Sequence, residues 1–265
     1  MPRPKKRFGQ HFLSNPRILD RIVGALELAP GERVLEIGPG QGTLTAALLR
    51  AGAQVTAIEI DRELAPIVRE RLPAVRLVEG DALELDWHVI MGPGPFLVAG
   101  NIPYQITSPL LDKALTPPRP RRIVFLVQKE VADRLTAAPG SDGYGALSIG
   151  VQAVARAERL FLIPAGAFHP SPRVDSAVVR LEPLGNPLVA DAELTRFRRL
   201  VAGLFGFRRK QLLRGLRQLT GWPASRVAAV LADQGIAASA RPETLAPGAF
   251  VALFHRFVDG GWRGE

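Results

Sequence analysis

Cysteine is absent from this chain of 265 residues, and its absence removes several kinds of chemistry at once. Disulfide bridges, thiolate nucleophiles and cysteine-ligated zinc sites are all excluded. The four histidines are scattered without a paired spacing, so we expect no metal site either. Any catalysis must therefore use other groups.

Long apolar runs are lacking as well. A membrane-spanning helix needs about 18 or more apolar residues, and no such stretch is found. The basic start leads into Phe8-Gly9-Gln10-His11, not into the apolar core of a signal peptide. We therefore expect a cytoplasmic protein without membrane association. Hydrophobic residues at 47% and charged residues at 22% are typical of a soluble globular protein.

Acidic residues are too few to balance the basic ones. The chain has 34 Lys and Arg against 25 Asp and Glu, which gives a net charge of +9. Much of the excess lies in two acid-free segments, an N-terminal run and residues 196–217, and such patches attract phosphate backbones. A solvated helix face and an anionic membrane surface are the alternatives. The residues predicted to contact nucleic acid are Arg3, Lys5, Lys6, Arg7, Arg208, Arg209, Lys210 and Arg214.

Short β-rich stretches alternate with helical ones along the first two thirds of the chain. The predicted strands are 33–37, 54–60, 75–79, 96–99 and 123–127. This alternation predicts an α/β fold with a mainly parallel, doubly wound, Rossmann-like sheet. Two later stretches, 160–163 and 177–181, predict an antiparallel hairpin at the edge of that sheet.

The segment Leu184-Gly185-Asn186-Pro187 has the composition of a linker. Beyond it the apolar residues recur at helical spacing. We therefore predict a larger α/β domain over residues 1–184 and a small α-helical C-terminal domain over residues 185–265.

A glycine-rich turn follows the first predicted strand, in the order Glu36-Ile37-Gly38-Pro39-Gly40-Gln41-Gly42. A strand, a glycine turn and a helix are typical of nucleotide-cofactor sites, because a Cβ would hold the backbone away from the ligand. Glu59 ends the next strand, where its carboxylate can bond both ribose hydroxyls. Asp81, after the third strand, is placed to accept a hydrogen bond from an adenine amino group, and an ordinary turn aspartate is the alternative.

The spacing of the turn separates two cofactors. A dinucleotide site has G-x-G-x-x-G, but Thr43 stands where the third glycine should be. The G-x-G-x-G order, with Glu36 two residues before the first glycine, is the pattern of S-adenosylmethionine enzymes. We therefore predict S-adenosylmethionine and not NAD.

Asn101-Ile102-Pro103-Tyr104 follows the fourth predicted strand and should lie beside the cofactor's methyl group. The exocyclic amine of adenine is a poor nucleophile and must be activated by geometry here. The side-chain oxygen of Asn101 and the carbonyl of Ile102 can accept both amine hydrogens, while Pro103 fixes the turn. Tyr104 offers a stacking face for a flipped base. Phe168 is a candidate for the other face, and a core phenylalanine is the alternative.

Several motifs together resemble one family, the ribosomal RNA small-subunit adenine dimethyltransferase A family. The match runs in order from about residue 5 to the C-terminus. Besides the glycine turn, Glu59 and Asp81, the motifs that carry it are Phe8-Gly9-Gln10-His11-Phe12-Leu13, Asn101 to Tyr104, Gln128-Lys129-Glu130-Val131, Tyr144-Gly145-Ala146-Leu147-Ser148 and Phe168 to Ser176.

The resemblance implies dimethylation of two adjacent adenosines in a hairpin near the 3′ end of small-subunit rRNA, late in ribosome assembly. It implies cofactor contacts from His11 and Leu13, from Gly38 to the amino acid end, and from Asn101. His11 departs from the family, which often has Asn there. The expected partner is rRNA in a pre-ribosomal particle, and the expected state is a monomer.

Two other functions compete. A related large-subunit rRNA adenine methyltransferase, which confers macrolide resistance, has the same chemistry; the extended 168–176 loop and the Gln128-Lys129-Glu130-Val131 stretch favour the small-subunit branch. A non-catalytic RNA-binding factor on the same fold is less favoured. Such a protein is free to lose cofactor residues, whereas Gly38, Glu59, Asp81, Asn101 and Tyr104 are all present.

Overall fold

The structure is a computed structural model that describes residues 4–5, 8–207 and 210–264. Its strands form a seven-stranded sheet in the order β4-β3-β2-β5-β6-β9-β7 and a small two-stranded sheet of β1 and β8. The strands are β1 (Phe12–Leu13), β2 (Arg33–Ile37), β3 (Gln54–Glu59), β4 (Arg76–Glu79), β5 (Leu97–Asn101), β6 (Arg122–Gln128), β7 (Ala155–Ile163), β8 (Phe168–His169) and β9 (Ser176–Pro183).

Helices connect and follow these strands. They are α1 (Pro16–Ala25), α2 (Thr43–Arg50), α3 (Ala65–Arg71), α4 (Trp87–Met91), α5 (Thr107–Ala114), α6 (Lys129–Leu135), α7 (Ala146–Gln152), α8 (Leu194–Gly206), α9 (Leu212–Thr220), α10 (Ala224–Asp233) and α11 (Pro247–Asp259). No helix in the described part of the chain is long and apolar enough to cross a membrane.

The pairing of the strands confirms the predicted mainly parallel, doubly wound sheet. From β4 to β6 every neighbouring pair is parallel, and β9 then pairs antiparallel with β6. Both strands of the predicted edge hairpin are present, with β7 outermost beside β9. Strand order reverses between β2 and β5, which is the switch point where open α/β sheets bind ligands beyond the carboxyl ends of their strands.

Local sequence explains the first helix. The side chain of Asn15 accepts hydrogen bonds from the backbone N–H groups of Arg17 and Ile18, and Pro16 occupies the first helical position. An Asn cap satisfies N–H groups that a helix leaves unpaired, and proline there has no N–H to lose. Leu19 and Ile22 are buried in the apolar core that α1 and α2 form over the sheet.

The chain divides into two compact units, and the division differs from the predicted domains in one segment. Unit 1 comprises residues 1–132 and 157–183, and unit 2 comprises residues 133–156 and 184–265. The boundary near residue 184 matches the predicted linker, but residues 133–156, which we predicted to lie in the α/β domain, group with the C-terminal helices. Within unit 2 the buried Tyr144 donates its hydroxyl to the carbonyl of Leu245, 101 residues away, and a contact of that separation leaves no local sequence signal.

Candidate active site

A cavity of about 350 Å³ lies in unit 1 at the carboxyl ends of β2, β3 and β5. These strands lie next to the switch point of the sheet, so their ends bring groups from distant parts of the sequence together. The predicted cofactor and catalytic residues that line the cavity are His11, Leu13, Gly38, Glu59, Asp81, Asn101, Ile102, Pro103 and Tyr104.

The glycine turn leaves room for a ligand. Gly38 has a φ of +68°, and a Cβ built on it would meet no heavy atom within 4 Å and would point into open space. Gly40 has a φ of +58°, and its N–H donates to Glu59 Oε2 at 3.0 Å. Residues with a Cβ rarely adopt these conformations. Glycine adopts them readily, and without a side chain it lets the backbone approach a ligand closely. The turn therefore fits a nucleotide-type cofactor.

Glu59 is held from two sides at the end of β3. Besides the bond from Gly40, its Oε1 accepts the N–H of Asp61 at 2.8 Å. The residue is only 4% exposed, and burial raises the pKa of its carboxyl. A carboxyl fixed by two backbone donors keeps its remaining lone pairs in a defined direction, as a ribose contact requires.

Glu36, on β2, also lines the cavity, although the sequence singled it out only as part of the glycine motif. Its side chain is buried, and burial raises the pKa of its carboxyl to about 8. No donor within the described part of the chain reaches its Oε2. Burial favours the neutral form of this carboxyl, although hydrogen bonding to Thr45 partly offsets the effect, and a nearby cation would favour the ionised form.

Asp81 begins the turn after β4. Its Oδ1 accepts the N–H of Leu83 at 2.8 Å, so the residue is both a turn former and part of the cavity lining. The two interpretations offered by the sequence are therefore compatible, because one oxygen shapes the turn while the other is not used in it.

Asn101 ends β5 with a fixed amide orientation. Its Nδ2 donates to the backbone carbonyl of His11 at 2.7 Å. A carbonyl accepts hydrogen bonds only, so this contact assigns the nitrogen to that side and turns Oδ1 away from it. Neither Asn101 Oδ1 nor the carbonyl of Ile102 accepts a hydrogen bond from any described residue. Two neighbouring acceptors are thus available in the cavity wall.

Aromatic rings lie next to this pair. The rings of His11 and Tyr104 stack with centroids 5.7 Å apart. The Tyr104 hydroxyl lies 2.8 Å from Ser176 Oγ, and burial raises its pKa. His11 is held by its Nδ1, 2.7 Å from the carbonyl of Pro170.

Lys5 and Gln10 form polar contacts with the residues after β3, and the sequence did not predict these contacts. The ammonium of Lys5 lies 2.7 Å from Asp61 and 2.9 Å from Glu63, and the hydrogen bond to Asp61 raises the pKa of Lys5. Gln10 Nε2 also donates to Asp61, at 2.9 Å. Lys5, which we predicted to bind RNA, thus forms ion pairs with two carboxylates within the fold. The pairing spans 56 residues and has no local signal.

Phe168 is not part of the cavity lining. It is 5% exposed and packs in the apolar core, where β8 pairs with β1. Phe168 therefore packs as a core residue in this structure, and its predicted base-stacking role stays a prediction. Arg3, Lys6, Arg7, Arg208 and Arg209, which we predicted to bind RNA, lie outside the described residues.

Lys210 and Arg214, the two remaining basic residues of that prediction, are exposed in unit 2. The Lys210 ammonium is 3.0 Å from Gln218 Oε1, a neutral partner that leaves its charge uncompensated. Within the described residues no group of three or more acidic or histidine side chains is arranged to hold a metal ion.

Gly100, inside β5, permits the close approach of β2. A Cβ there would lie 2.7 Å from the backbone oxygen of Ile37 and 2.8 Å from Ile102 Cδ1. We expect Gly100→Ala to lower the free energy of unfolding by about 1–3 kcal/mol, because the sheet backbone cannot move aside. Thermal unfolding followed by circular dichroism measures the loss.

The control for that substitution is Gly24→Ala. Gly24 is exposed within α1, and a Cβ there meets no atom within 4 Å. This variant should be neutral or more stable by up to about 1 kcal/mol, as alanine favours helix. Equal stability of Gly100→Ala and the unmodified protein would contradict the close-packing argument.

A family model described as ribosomal RNA adenine dimethylase matches residues 1–259. A ribosomal RNA small subunit methyltransferase A from Synechococcus sp. (strain JA-3-3Ab) is 46% identical over 257 residues, covering 92% of this chain and 90% of that protein. A protein of the same name from Acidithiobacillus ferrooxidans (strain ATCC 23270) is 41% identical over 267 residues, covering 99% of this chain and 98% of its own length.

Solved structures agree with these matches. A dimethyladenosine transferase from Plasmodium falciparum superposes with a TM-score of 0.81 at 28% identity, over 95% of this chain and 99% of that one. The 23S rRNA methyltransferase ErmE superposes with a TM-score of 0.72 at 32% identity, over 93% of this chain and 99% of that one. With a family model over nearly the whole chain and relatives above 40% identity, the protein belongs to the ribosomal RNA adenine dimethylase family and is an rRNA adenine dimethyltransferase.

Proposed function

We propose that the protein uses S-adenosylmethionine to dimethylate the N6 amines of two adjacent adenosines, in a hairpin near the 3′ end of small-subunit rRNA. The substrate is a pre-ribosomal particle late in small-subunit assembly. The protein acts on this particle in the cytoplasm, as a monomer. The names of the relatives at 41% and 46% identity support the small-subunit branch.

The observation that carries this proposal is the pair of acceptors at the end of β5. Asn101 Oδ1 and the carbonyl of Ile102 accept nothing from the described residues, and an adenine N6 amine has two hydrogens to donate. When both hydrogens are held, the nitrogen lone pair leaves conjugation with the ring and turns toward the methyl donor. After one methylation a single hydrogen remains, and rotation about the C6–N6 bond lets either acceptor hold it for the second transfer.

Other cavity residues hold the cofactor in this proposal. Glu59 bonds the ribose hydroxyls, Asp81 the adenine amino group, and Gly38 gives the backbone access to the amino acid end. His11 and Leu13 lie beside the methionine portion. S-adenosylmethionine would supply the methyl group from a sulfonium, whose leaving group is a neutral thioether, so the protein needs only to align the amine.

Tyr104 serves as the stacking platform for the flipped adenosine. Its ring stacks with His11 on one side, and we assign the other side to the base. Pro103 orders this segment, since its carbonyl accepts the N–H of Ile106 at 3.1 Å and the hydroxyl of Thr107 at 3.3 Å.

RNA docking is assigned to the basic residues of unit 2. We expect the double variant Lys210→Ala, Arg214→Ala to bind rRNA about tenfold more weakly and to reduce the salt slope by about 1 per lost phosphate contact. Filter binding to a small-subunit rRNA fragment at several salt concentrations measures both. Arg256→Ala is the control, because Arg256 is already paired with Asp233. An unchanged salt slope in the double variant would refute this assignment.

The proposed reaction is tested by methyl transfer from radiolabelled S-adenosylmethionine to small particles that lack the modification, with large-subunit RNA in parallel. We expect dimethyladenosine in the small-subunit substrate alone, identified by nucleoside analysis. The fold similarity to ErmE makes the large-subunit branch the second candidate. Label in large-subunit RNA would favour that branch, and label in neither, with tight RNA binding, would favour a non-catalytic role.

A further inference from the structure

The buried carboxyl of Glu36 has no role in the proposed methyl transfer itself. It lies on β2 between Ala57 of β3 and Ala99 of β5, its register partners. All three side chains belong to one sheet face, and both alanines are fully buried. Glu36 itself is among the residues that line the cavity.

No described residue of the cavity lining provides a cationic partner for Glu36. Among the described residues lining the cavity no Lys or Arg occurs, and the titratable ones are His11, Glu36, Glu59, Asp81 and Tyr104. Glu59 on β3 is acidic and opposes ionisation of Glu36. The charged side chains of α1 and α2, the helices packed over this face, are exposed to solvent: Arg17, Asp20, Arg21 and Arg50.

This environment keeps Glu36 protonated near neutral pH. Its side chain is 1% exposed, and one carboxyl oxygen has no donor within the described part of the chain. Burial raises its pKa to about 8. A cation that binds in the cavity favours the ionised form of the Glu36 carboxyl instead, since opposite charges attract strongly at low dielectric constant.

The proposed cofactor changes charge during the reaction. S-adenosylmethionine carries a sulfonium, an ammonium and a carboxylate, a net charge of about +1. When the methyl group passes to the amine, the electrons of the C–S bond stay on sulfur, the amine nitrogen loses one proton to solvent, and the neutral thioether S-adenosylhomocysteine remains. Donor and product thus differ by one positive charge inside a cavity lined by carboxyls.

We infer that Glu36 discriminates donor from product by exchanging one proton with solvent: it ionises when the cationic donor binds and is protonated again beside the neutral product. The inference rests on the proposed cofactor. An ionised Glu36 attracts the donor, and a protonated Glu36 gives the product no such attraction. Glu36 is thus a specificity residue that favours replacement of bound S-adenosylhomocysteine by S-adenosylmethionine.

Calorimetric titration in buffers of different ionisation enthalpy measures the protons released on binding. Near pH 7 we expect about one proton released per donor bound and about none per product bound. The ratio of the two dissociation constants, product over donor, should rise about tenfold per pH unit between about pH 6 and about pH 7.5. In Glu36→Gln the proton release and the pH dependence should both disappear while product affinity is kept.

Glu63→Gln is the matched control, since Glu63 is an exposed acid outside the cavity lining. Proton release should persist in it. Equal proton counts for donor and product, or release that survives in Glu36→Gln, would overturn the inference while leaving the proposed function intact. If Glu36→Gln does not fold, a pH-independent affinity ratio in the unmodified protein overturns it equally. Failure of the unmodified protein to bind either ligand would remove the proposed function and this inference together.

Discussion

Replacing Asn101 by alanine should reduce kcat for methyl transfer by about 10²–10³-fold, the usual cost of removing one preorganised hydrogen-bonding group from a polar transition state. The amide does two things in the structure. Its oxygen is one of the two free acceptors in the cavity wall, and its nitrogen holds the carbonyl of His11 at 2.7 Å. Loss of the oxygen leaves the adenine amine with one partner, so its lone pair stays conjugated with the ring.

The effect should appear in kcat and not in binding. Affinity for small-subunit rRNA should stay within about twofold, because the basic residues assigned to docking are untouched. Single-turnover transfer with saturating labelled cofactor separates the two quantities. Asn186→Ala, at an exposed asparagine in the linker, is the matched control and should be fully active. A kcat of Asn101→Ala within about threefold of that of the unmodified protein would contradict the role of Asn101 in activating the amine.

Glu59→Ala should raise the dissociation constants of S-adenosylmethionine and S-adenosylhomocysteine alike, by about 100-fold or more. The carboxyl accepts the N–H groups of Gly40 and Asp61, and in the proposed complex it also accepts the ribose hydroxyls. Hydrogen bonds to charged groups contribute about 1.5–3 kcal/mol each, so two lost ribose contacts account for this change. The loosened glycine turn adds to it.

Calorimetric titration with both ligands measures this loss. Because donor and product share the ribose, their affinities should fall in parallel, unlike the separation expected from Glu36→Gln. Glu63→Ala is the control, since Glu63 is an exposed acid whose carboxylate pairs with Lys5. Unchanged product affinity in Glu59→Ala would contradict the ribose contact, and kcat at saturating cofactor should remain near normal.

Much of the site was accessible from the sequence because its groups follow strand ends. Gly38, Glu59, Asp81 and Asn101 each lie at the end of a strand or within two residues after it. Parallel strands bring their carboxyl ends to one edge, so order along the chain translates into proximity in space. All four residues line the cavity.

The features that the sequence could not reveal are contacts that span long separations. Lys5 belongs to a basic run of the kind that binds phosphate. Its ammonium is nevertheless paired with Asp61, 56 residues away. Phe168 follows a loop and could face either way, and its burial in the apolar core appears only in the folded chain. Residues 133–156 carry no linker signal, and only their packing groups them with the C-terminal helices.

The sequence by itself determined the alternation of strands and helices, the glycine turn and the positions of the acidic and amide residues, because period, turn chemistry and spacing act locally. Only the tertiary structure decided how those residues are used. The carbonyl of His11, 90 residues before Asn101, orients its amide. The burial of Glu36 between two alanines decides its protonation. Hydrogen-bond direction and desolvation depend on which groups meet, and distant segments meet only when the chain has folded.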